Sequence, residues 1–397
     1  MQLIDLGAAP PSNSFNSSQD APEQHYPLRV LFCSLCGLAQ TDITLFNLHH
    51  DQIFTEQYPY FSSTSKQWVA HARTLVDRMS EELQLGADAL TVEVGSNDGY
   101  LLQWVQNKCY GIEPTHTRYK AWHKDIEVVP AFFNEKLALS LIDFKGQADW
   151  MVCNNVLAHV PDINGFVRGF AALLKPDGVA TFEFPSLVNL IRHCQFDTIY
   201  HEHYSYLSLT AVANILFRNG LQVFNVEKLA THGGSLRVFA QHKNGQRPLN
   251  EAVAQAILDE YELVYPSFFE DFQARADRIK NDLTSFLLQV KTSGKTIAGF
   301  GAAAKANTLL NYAGIRVDLL PYVVDDTPSK QGKFMPGSRI PVRANFTEQP
   351  DYILIFPWNF RDEIMQRLTR ERSLGAKLVF AIPKLEIVPA LEMARCA

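Results

Sequence analysis

Cysteine is scarce in this chain: there are six in 397 residues, and only Cys33 and Cys36 stand close together. A disulfide scaffold needs more close pairs, so the pattern points to a reducing compartment and a cytoplasmic protein. An excess of one charge is also missing. Lysine and arginine total 36 against 42 aspartates and glutamates, a net charge of −6. No basic footprint argues for nucleic acid. No apolar run approaches the roughly 20 residues of a membrane helix, so no membrane partner is expected. Met1–Gly7 lacks a basic segment followed by an apolar one, and no signal peptide is expected. What remains, 47% apolar and 20% charged, is an ordinary globular composition, long enough for two or three domains.

Against this background one stretch is crowded. Tyr200-His201-Glu202-His203-Tyr204 sets two imidazoles, a carboxylate and two phenols in a single run. Proton transfer needs groups that titrate near working pH, and histidine does so at about 6.5. Two other readings of the same residues stand: a His-x-His metal site, since i and i+2 share one face of a strand, and a hydrogen-bonded turn.

Two glycine turns flank the cluster. Leu90–Val94 reads as a strand, followed by Gly95-Ser96-Asn97-Asp98-Gly99 and an expected helix over Tyr100–Val105. The next strand, Tyr110–Ile112, ends in Glu113, within about 20 residues of the turn, where a ribose-binding carboxylate belongs. Further strands are expected at Glu127–Val129, Asp149–Cys153, Val179–Phe184, Leu221–Lys228 and Leu236–His242, with a helix over Ile163–Leu174. Asn154 and Asn155 fall at a carboxyl strand end; His159, just beyond, reads as a core residue. The hairpin Thr231–Arg237 carries a glycine pair, serine and Arg237, suited to phosphate or to a plain turn. Ser65 caps a helix whose apolar stripe starts at Trp68, and the aromatics at Tyr58 and Tyr60 read as a staple on it. Phe269 to Val290 form a second, purely packing stripe.

The second glycine turn, Gly299-Phe300-Gly301-Ala302, opens a helix bearing Lys305, Asn307 and Thr308, and Pro321–Val324 ends in Asp325. A helix start with a lysine suits phosphate. Taken alone, this half is a fair nicotinamide-dinucleotide fingerprint, and an NAD(P)-dependent oxidoreductase is the main rival function. A non-catalytic nucleotide-binding protein is another. Cys33-Ser34-Leu35-Cys36-Gly37 is half of a zinc knuckle, with His49 and His50 as conceivable further ligands. An unmetallated turn fits as well.

Glu93-Val94-Gly95-Ser96-Asn97-Asp98-Gly99 resembles motif I of the class I S-adenosylmethionine (SAM)-dependent methyltransferases. The resemblance implies a donor site made of Glu93, Gly95, Ser96, Asn97, Asp98, Gly99, Glu113, Pro114, Asn154 and Asn155. The whole chain, from about Leu3 to Pro389, resembles the sugar-nucleotide C-methyltransferases, the C-3 methylating enzymes of deoxysugar biosynthesis. That likeness is carried by Cys33–Gly37, Tyr58–Ser63, Glu93–Gly99, Tyr200–His203, His232–Ser235, Gly299–Lys305 and Pro357–Asn359. It implies an α/β fold: a class I methyltransferase Rossmann-like domain plus a second C-terminal Rossmann-like domain, with a small N-terminal zinc-knuckle-like segment. Expected bounds are 1–56, 57–245 and 246–397. The family's active-site Tyr, Glu and His match Tyr200, Glu202 and His203, with His203 as general base and Glu202 orienting its imidazole, and Tyr58 matches an aromatic near the substrate. A nucleotide-linked 4-keto sugar is the implied substrate, met by Asn155, Arg237, Gly301, Lys305 and Asn307. A methyltransferase acting on another small molecule is the alternative. The family's earlier Cys-x-x-Cys, ahead of the segment matching Ile4–Gly7, has no counterpart here, so weak or no zinc is expected at Cys33 and Cys36.

Overall fold

Three sheets share the chain in the computed structural model, which describes residues 1–45, 50–55, 58–122 and 124–391. The first is small. Strands β1 (Gln2–Ala9), β2 (Tyr26–Phe32) and β3 (Ala39–Thr41) run antiparallel, with Ile4 opposite Val30 and Val30 opposite Thr41. Apolar Ile4, Leu28 and Val30 are buried.

The second sheet holds β4 (Leu90–Val94), β5 (Lys108–Ile112), β6 (Val128–Val129), β7 (Ala148–Asn154) and β8 (Leu174–Pro185), all parallel. The chain then makes a short strand, β9 (Ser205–Tyr206), before returning as the hairpin β10 (Leu221–Leu229) and β11 (Ser235–His242). The order is β10-β11-β8-β7-β4-β5-β6 in seven strands, with β11 antiparallel to β8. Every residue of β4 is buried, as a strand covered on both faces must be. Strand order reverses between β4 and β7, and open α/β sheets bind ligands outside the carboxyl ends of the strands at such a point. Strand β9 instead pairs with β3, Ala39 opposite Tyr206. The polypeptide just after His203 is thus anchored in the N-terminal sheet.

Helix α1 (Lys66–Glu82) is capped by Ser65, whose hydroxyl accepts from Trp68 N at 3.2 Å, and it buries Trp68, Ala72, Leu75, Val76 and Met79 as its spacing predicts. Full burial of Leu75, Val76 and Met79 stabilises by about 1.5–3 kcal/mol each. The helix expected over Tyr100–Val105 is only a 3-10 turn, Leu102–Trp104. Tyr100, Leu101 and Leu102 are buried while Gln103, Trp104 and Val105 are half-buried, and the chain is already extended again at Val105 on its way to β5, which leaves room for a single turn.

The third sheet follows α2 (Phe272–Thr292), whose Phe272, Ala276, Ile279, Leu283, Phe286 and Val290 are buried along one stripe. Its strands are β12 (Ile297–Phe300), β13 (Val323–Val324), β14 (Val342–Arg343), β15 (Tyr352–Ile355), β16 (Lys377–Phe380) and β17 (Glu386–Val388), ordered β14-β13-β12-β15-β16-β17. All pairings but the last are parallel, and α3 (Ala304–Tyr312) leaves the end of β12. One apolar cluster joins Ile4 and Val30 to Ile199, Phe272, Leu310 and Leu354. The first and third sheets therefore close over the segment that carries Tyr200. No helix among the described residues is long and apolar enough to cross a membrane.

Candidate active site

A cavity of about 600 Å³ opens where β4 and β7 end, with walls from all three parts of the chain. Its first wall is the Gly95 turn. Gly95 has φ +75°, and a Cβ there would lie 2.3 Å from Val156, so glycine is required. Asn97 is also left-handed, at φ +49°. Its N–H donates to Glu113 Oε2 at 3.0 Å, while Glu113 Oε1 accepts from Thr115 N at 2.8 Å and Thr115 Oγ1 at 2.7 Å. Glu113 thus faces the cavity in a fixed pose, beside Pro114. Asn154 and Asn155 line it too, and the Oδ1 atoms of both are buried without a protein partner.

Four residues expected here stand behind the wall. Glu93 is fully buried, and burial holds its carboxyl well above the usual range. Ser96 fills the space that Gly111 leaves, Gly99 packs toward Ile126 and Ala121, and Asp98 accepts from Ser63 N at 3.2 Å. The last contact has a consequence. Asn97 Oδ1 accepts from Ser62 N at 2.9 Å and its Nδ2 donates to Tyr60 O at 3.2 Å, so the turn pins Tyr58–Ser63 over the cavity. Tyr58, Tyr60 and Phe61 line the pocket rather than stapling α1.

The second wall is the Thr198–His203 segment. His203 N–H donates to Tyr200 O at 2.9 Å, and this turn folds the His203 ring onto the Tyr200 ring, centroids 4.1 Å apart. His203 Nδ1 lies 3.0 Å from Thr198 O. A carbonyl only accepts, so Nδ1 carries the proton and Nε2 is the basic nitrogen. Burial, then the neighbouring His159 ring at 4.6 Å, holds the imidazole well below its ordinary pKa and neutral. The expected support from Glu202 is absent. The same turn sends that carboxylate the other way, where it accepts from Asn13 Nδ2 at 2.6 Å and Tyr58 OH at 3.0 Å. The Thr198 carbonyl orients His203 instead. Burial raises Glu202 to about 7. His201 faces away, its Nε2 donating to Tyr26 O at 3.1 Å, and burial lowers it to about 4. His201 and His203 therefore share no metal face.

Three lining residues were not singled out from the sequence. Asn13 sits in a stretch that reads only as irregular. His159, expected in the core, lines the cavity with Nδ1 2.9 Å from Glu202 O. His232 reaches it from the hairpin turn at φ 53°, edge-on to Trp68 at 4.9 Å. An imidazole a few residues beyond a strand end was the available signal for the last two.

The third wall belongs to the C-terminal unit, and here much of the expected substrate set is elsewhere. Arg237 is buried and paired, donating to Glu183 at 2.7 Å and Glu227 at 3.4 Å, so it offers nothing to a phosphate. Gly301 does not line the cavity, and a Cβ on it would meet Pro357 at 2.4 Å. Gly299 likewise makes room for Val323 and Phe356. Asn307 is buried, donating to Ser12 O at 2.5 Å, and Thr308 donates to Ile199 O at 2.8 Å. Asp325, the acid of the dinucleotide fingerprint, accepts from Ala302 N of its own turn at 2.7 Å. Lys305 does line the cavity, with Nζ 2.6 Å from Asn359 Oδ1 and 4.4 Å over the Trp358 ring.

A curated relative, the C-methyltransferase NovU of Streptomyces niveus, is 31% identical over 403 residues, 98% of this chain and 94% of the relative. This chain belongs to the C-methyltransferase family. Family models agree along its length: "Methyltransferase domain" over residues 66–226, "C-methyltransferase C-terminal domain" over 230–383 and "Putative zinc binding domain" over 1–45. Among solved structures, magnesium protoporphyrin IX methyltransferase from Synechocystis PCC 6803 with bound SAM is 16% identical, with TM-score 0.34 over 44% of this chain and 79% of that one. A Burkholderia thailandensis 1,6-didemethyltoxoflavin-N1-methyltransferase is 14% identical, with TM-score 0.37 over 52% and 96%.

A SAM-dependent C-methyltransferase must hold a cationic nucleoside amino acid, and the first wall fits one. Glu113 presents a carboxylate, and two unpartnered asparagine oxygens stand at the strand-order reversal. Zinc fits less well. Cys33 and Cys36 lie on the turn between β2 and β3, where Gly37 N donates to Cys33 O at 2.8 Å. Backbone hydrogen bonding at Cys36 lowers the Cys33 thiol. Among the described residues no third His, Cys, Asp or Glu joins them. His49 and the side chain of His50 lie outside the described residues. Two thiolates do not close a tetrahedral site.

Proposed function

We propose that this C-methyltransferase acts on a nucleotide-linked 4-keto deoxysugar, methylating C-3 through an enolate with His203 as general base. One observation carries the reading: a neutral histidine, with Nδ1 tied to Thr198 O and Nε2 left basic, lines the same cavity as the donor wall and the C-terminal unit. Carbon is nucleophilic only as a carbanion equivalent, and a neighbouring ketone acidifies the C–H that must be broken. Bound SAM supplies an electrophilic methyl group. His203 Nε2 takes the C-3 proton, and the electron pair moves onto the ketone oxygen. Tyr200 and Asn155 stand on the wall as donors to that oxygen. Tyr58 is held by Glu202, which fixes one side of the substrate space. Three parts of the chain meeting at one cavity hold both reactants at attack distance.

Mass spectrometry across a panel of nucleotide-linked 4-keto sugars tests this. The expected product is heavier by one methylene, with the new methyl on carbon 3. Transfer to an oxygen, or to no sugar in the panel, would sink the reading.

A further inference from the structure

Lys305 was expected to bind a diphosphate at an open helix start, and the structure places it in different surroundings. The amides of the glycine turn before it are already used by the fold, which leaves only those of Ala304 and Lys305 at the helix start facing the cavity. Gly301 N donates to Val324 O at 2.8 Å, Ala302 N to Asp325, and Ala303 N to Gly301 O at 2.8 Å. A diphosphate needs several donors, and a turn supplies them only when its N–H groups are unused.

The position of Lys305 is set by the catalytic segment instead. One turn further along α3, Thr308 donates to Ile199 O, next to Tyr200. Asn307 donates to Ser12 O, next to the Asn13 that holds Glu202. Trp358, under the Lys305 ammonium, donates its Nε1 to Asp197 Oδ2 at 2.7 Å, again from the catalytic segment. Helix α3 thus meets the Asp197–Glu202 segment directly through Thr308 and by way of Ser12–Asn13 through Asn307, while Trp358, outside the helix, ties Asp197 beneath the ammonium. The ammonium itself makes one hydrogen bond, to Asn359, out of three it can donate. Among the described residues no carboxylate lies within ion-pair distance of it. Its charge acts on both His203 and His232, helping to keep each neutral. A half-buried cation whose opposing charge, Asp197, lies beyond ion-pair distance and is engaged by Trp358 is suited to an anion that forms during the reaction.

We propose that Lys305 is a catalytic residue whose ammonium donates to the ketone oxygen on which charge gathers as His203 removes the neighbouring proton. The step balances: the C–H bond breaks, its proton passes to His203 Nε2, its electron pair becomes the carbon–carbon double bond, and the ketone π pair becomes the oxygen charge that Lys305 meets. The ammonium keeps its proton throughout. This role rests on the 4-keto sugar reading above.

The test compares wild type, Lys305→Met and Lys305→Arg in three assays: turnover and KM, solvent-deuterium exchange at C-3, and calorimetry with SAM and with free uridine and thymidine diphosphates. Lys305→Met should lower kcat and the exchange rate on the order of 100- to 1000-fold, the loss seen when one oxyanion donor is removed. SAM and nucleoside diphosphate affinities should stay at wild-type values, which also shows that the variant is folded. Lys305→Arg should exchange faster than Lys305→Met. Nucleoside diphosphate affinity that falls while kcat holds would make Lys305 a phosphate anchor and overturn the proposal. Wild-type exchange in Lys305→Met would do the same. A wild type that exchanges no 4-keto sugar would instead sink the substrate reading, and this role with it.

Discussion

The chain contains two strand–glycine–helix units that read alike and are built for different neighbours. At the first, Gly95 yields to Val156, and the turn beyond it carries Asn97 to the cavity wall, where its N–H holds Glu113 from the end of β5. At the second, Gly301 yields to Pro357, the amides are used internally, and Asp325 closes the turn on itself. Both glycines are required by a left-handed backbone and a close neighbour. A glycine turn therefore reports crowding, and only the partners of its amides and of its acid tell whether a ligand does the crowding.

The comparison is sharpened most by removing the base. His203→Ala should abolish methyl transfer while SAM affinity stays unchanged by calorimetry, because the donor wall folds without it. Transfer surviving in that variant would move proton removal elsewhere. Next comes the glycine pair. Gly95→Ala and Gly301→Ala should each lower stability by about 1–3 kcal/mol, the scale of a strained backbone position. Only Gly95→Ala should also weaken SAM binding. Equal donor affinity in the two variants would break the contrast between the turns. A milder change is Glu113→Ala, expected to weaken SAM by about 1–3 kcal/mol, the scale of charged hydrogen bonds. Unchanged affinity would take Glu113 off the donor site.

Much of this was legible in the sequence. Strands β4, β7, β8, β10 and β11, helix α1 and the Phe272–Val290 stripe follow from apolar periodicity, because each buries one face or both. The crowded Tyr200–Tyr204 run and the Asn154–Asn155 strand end also lie where the cavity forms. The orientation of neighbouring side chains was not legible. Glu202 and His203 are adjacent, yet one tight turn sends them to Asn13 and Thr198 respectively. Nor could spacing show that Arg237 is paired with Glu183, since the partner lies on another strand. Asn13 had no local signal, because its role depends on a contact across 189 positions of sequence.

The smallest effect concerns pH. Glu202 titrates at about 7 in the fold against an ordinary 4.5, because burial disfavours its charge. The folded state therefore keeps a proton that the unfolded chain has already released, and stability falls as pH rises between those values. Glu202→Gln removes that dependence. Its melting temperature relative to wild type should climb from about pH 5 to about pH 8. A pH-independent difference would show that Glu202 is ionised in the fold.

The central claim is that this chain makes its own carbon nucleophile, independently of methyl delivery. The direct measurement is wild-type solvent-deuterium exchange at C-3 of a nucleotide-linked 4-keto sugar, with S-adenosylhomocysteine in place of the donor. The account predicts exchange that is lost in His203→Ala. Methyl transfer to that carbon under donor, with no exchange in its absence, would contradict it.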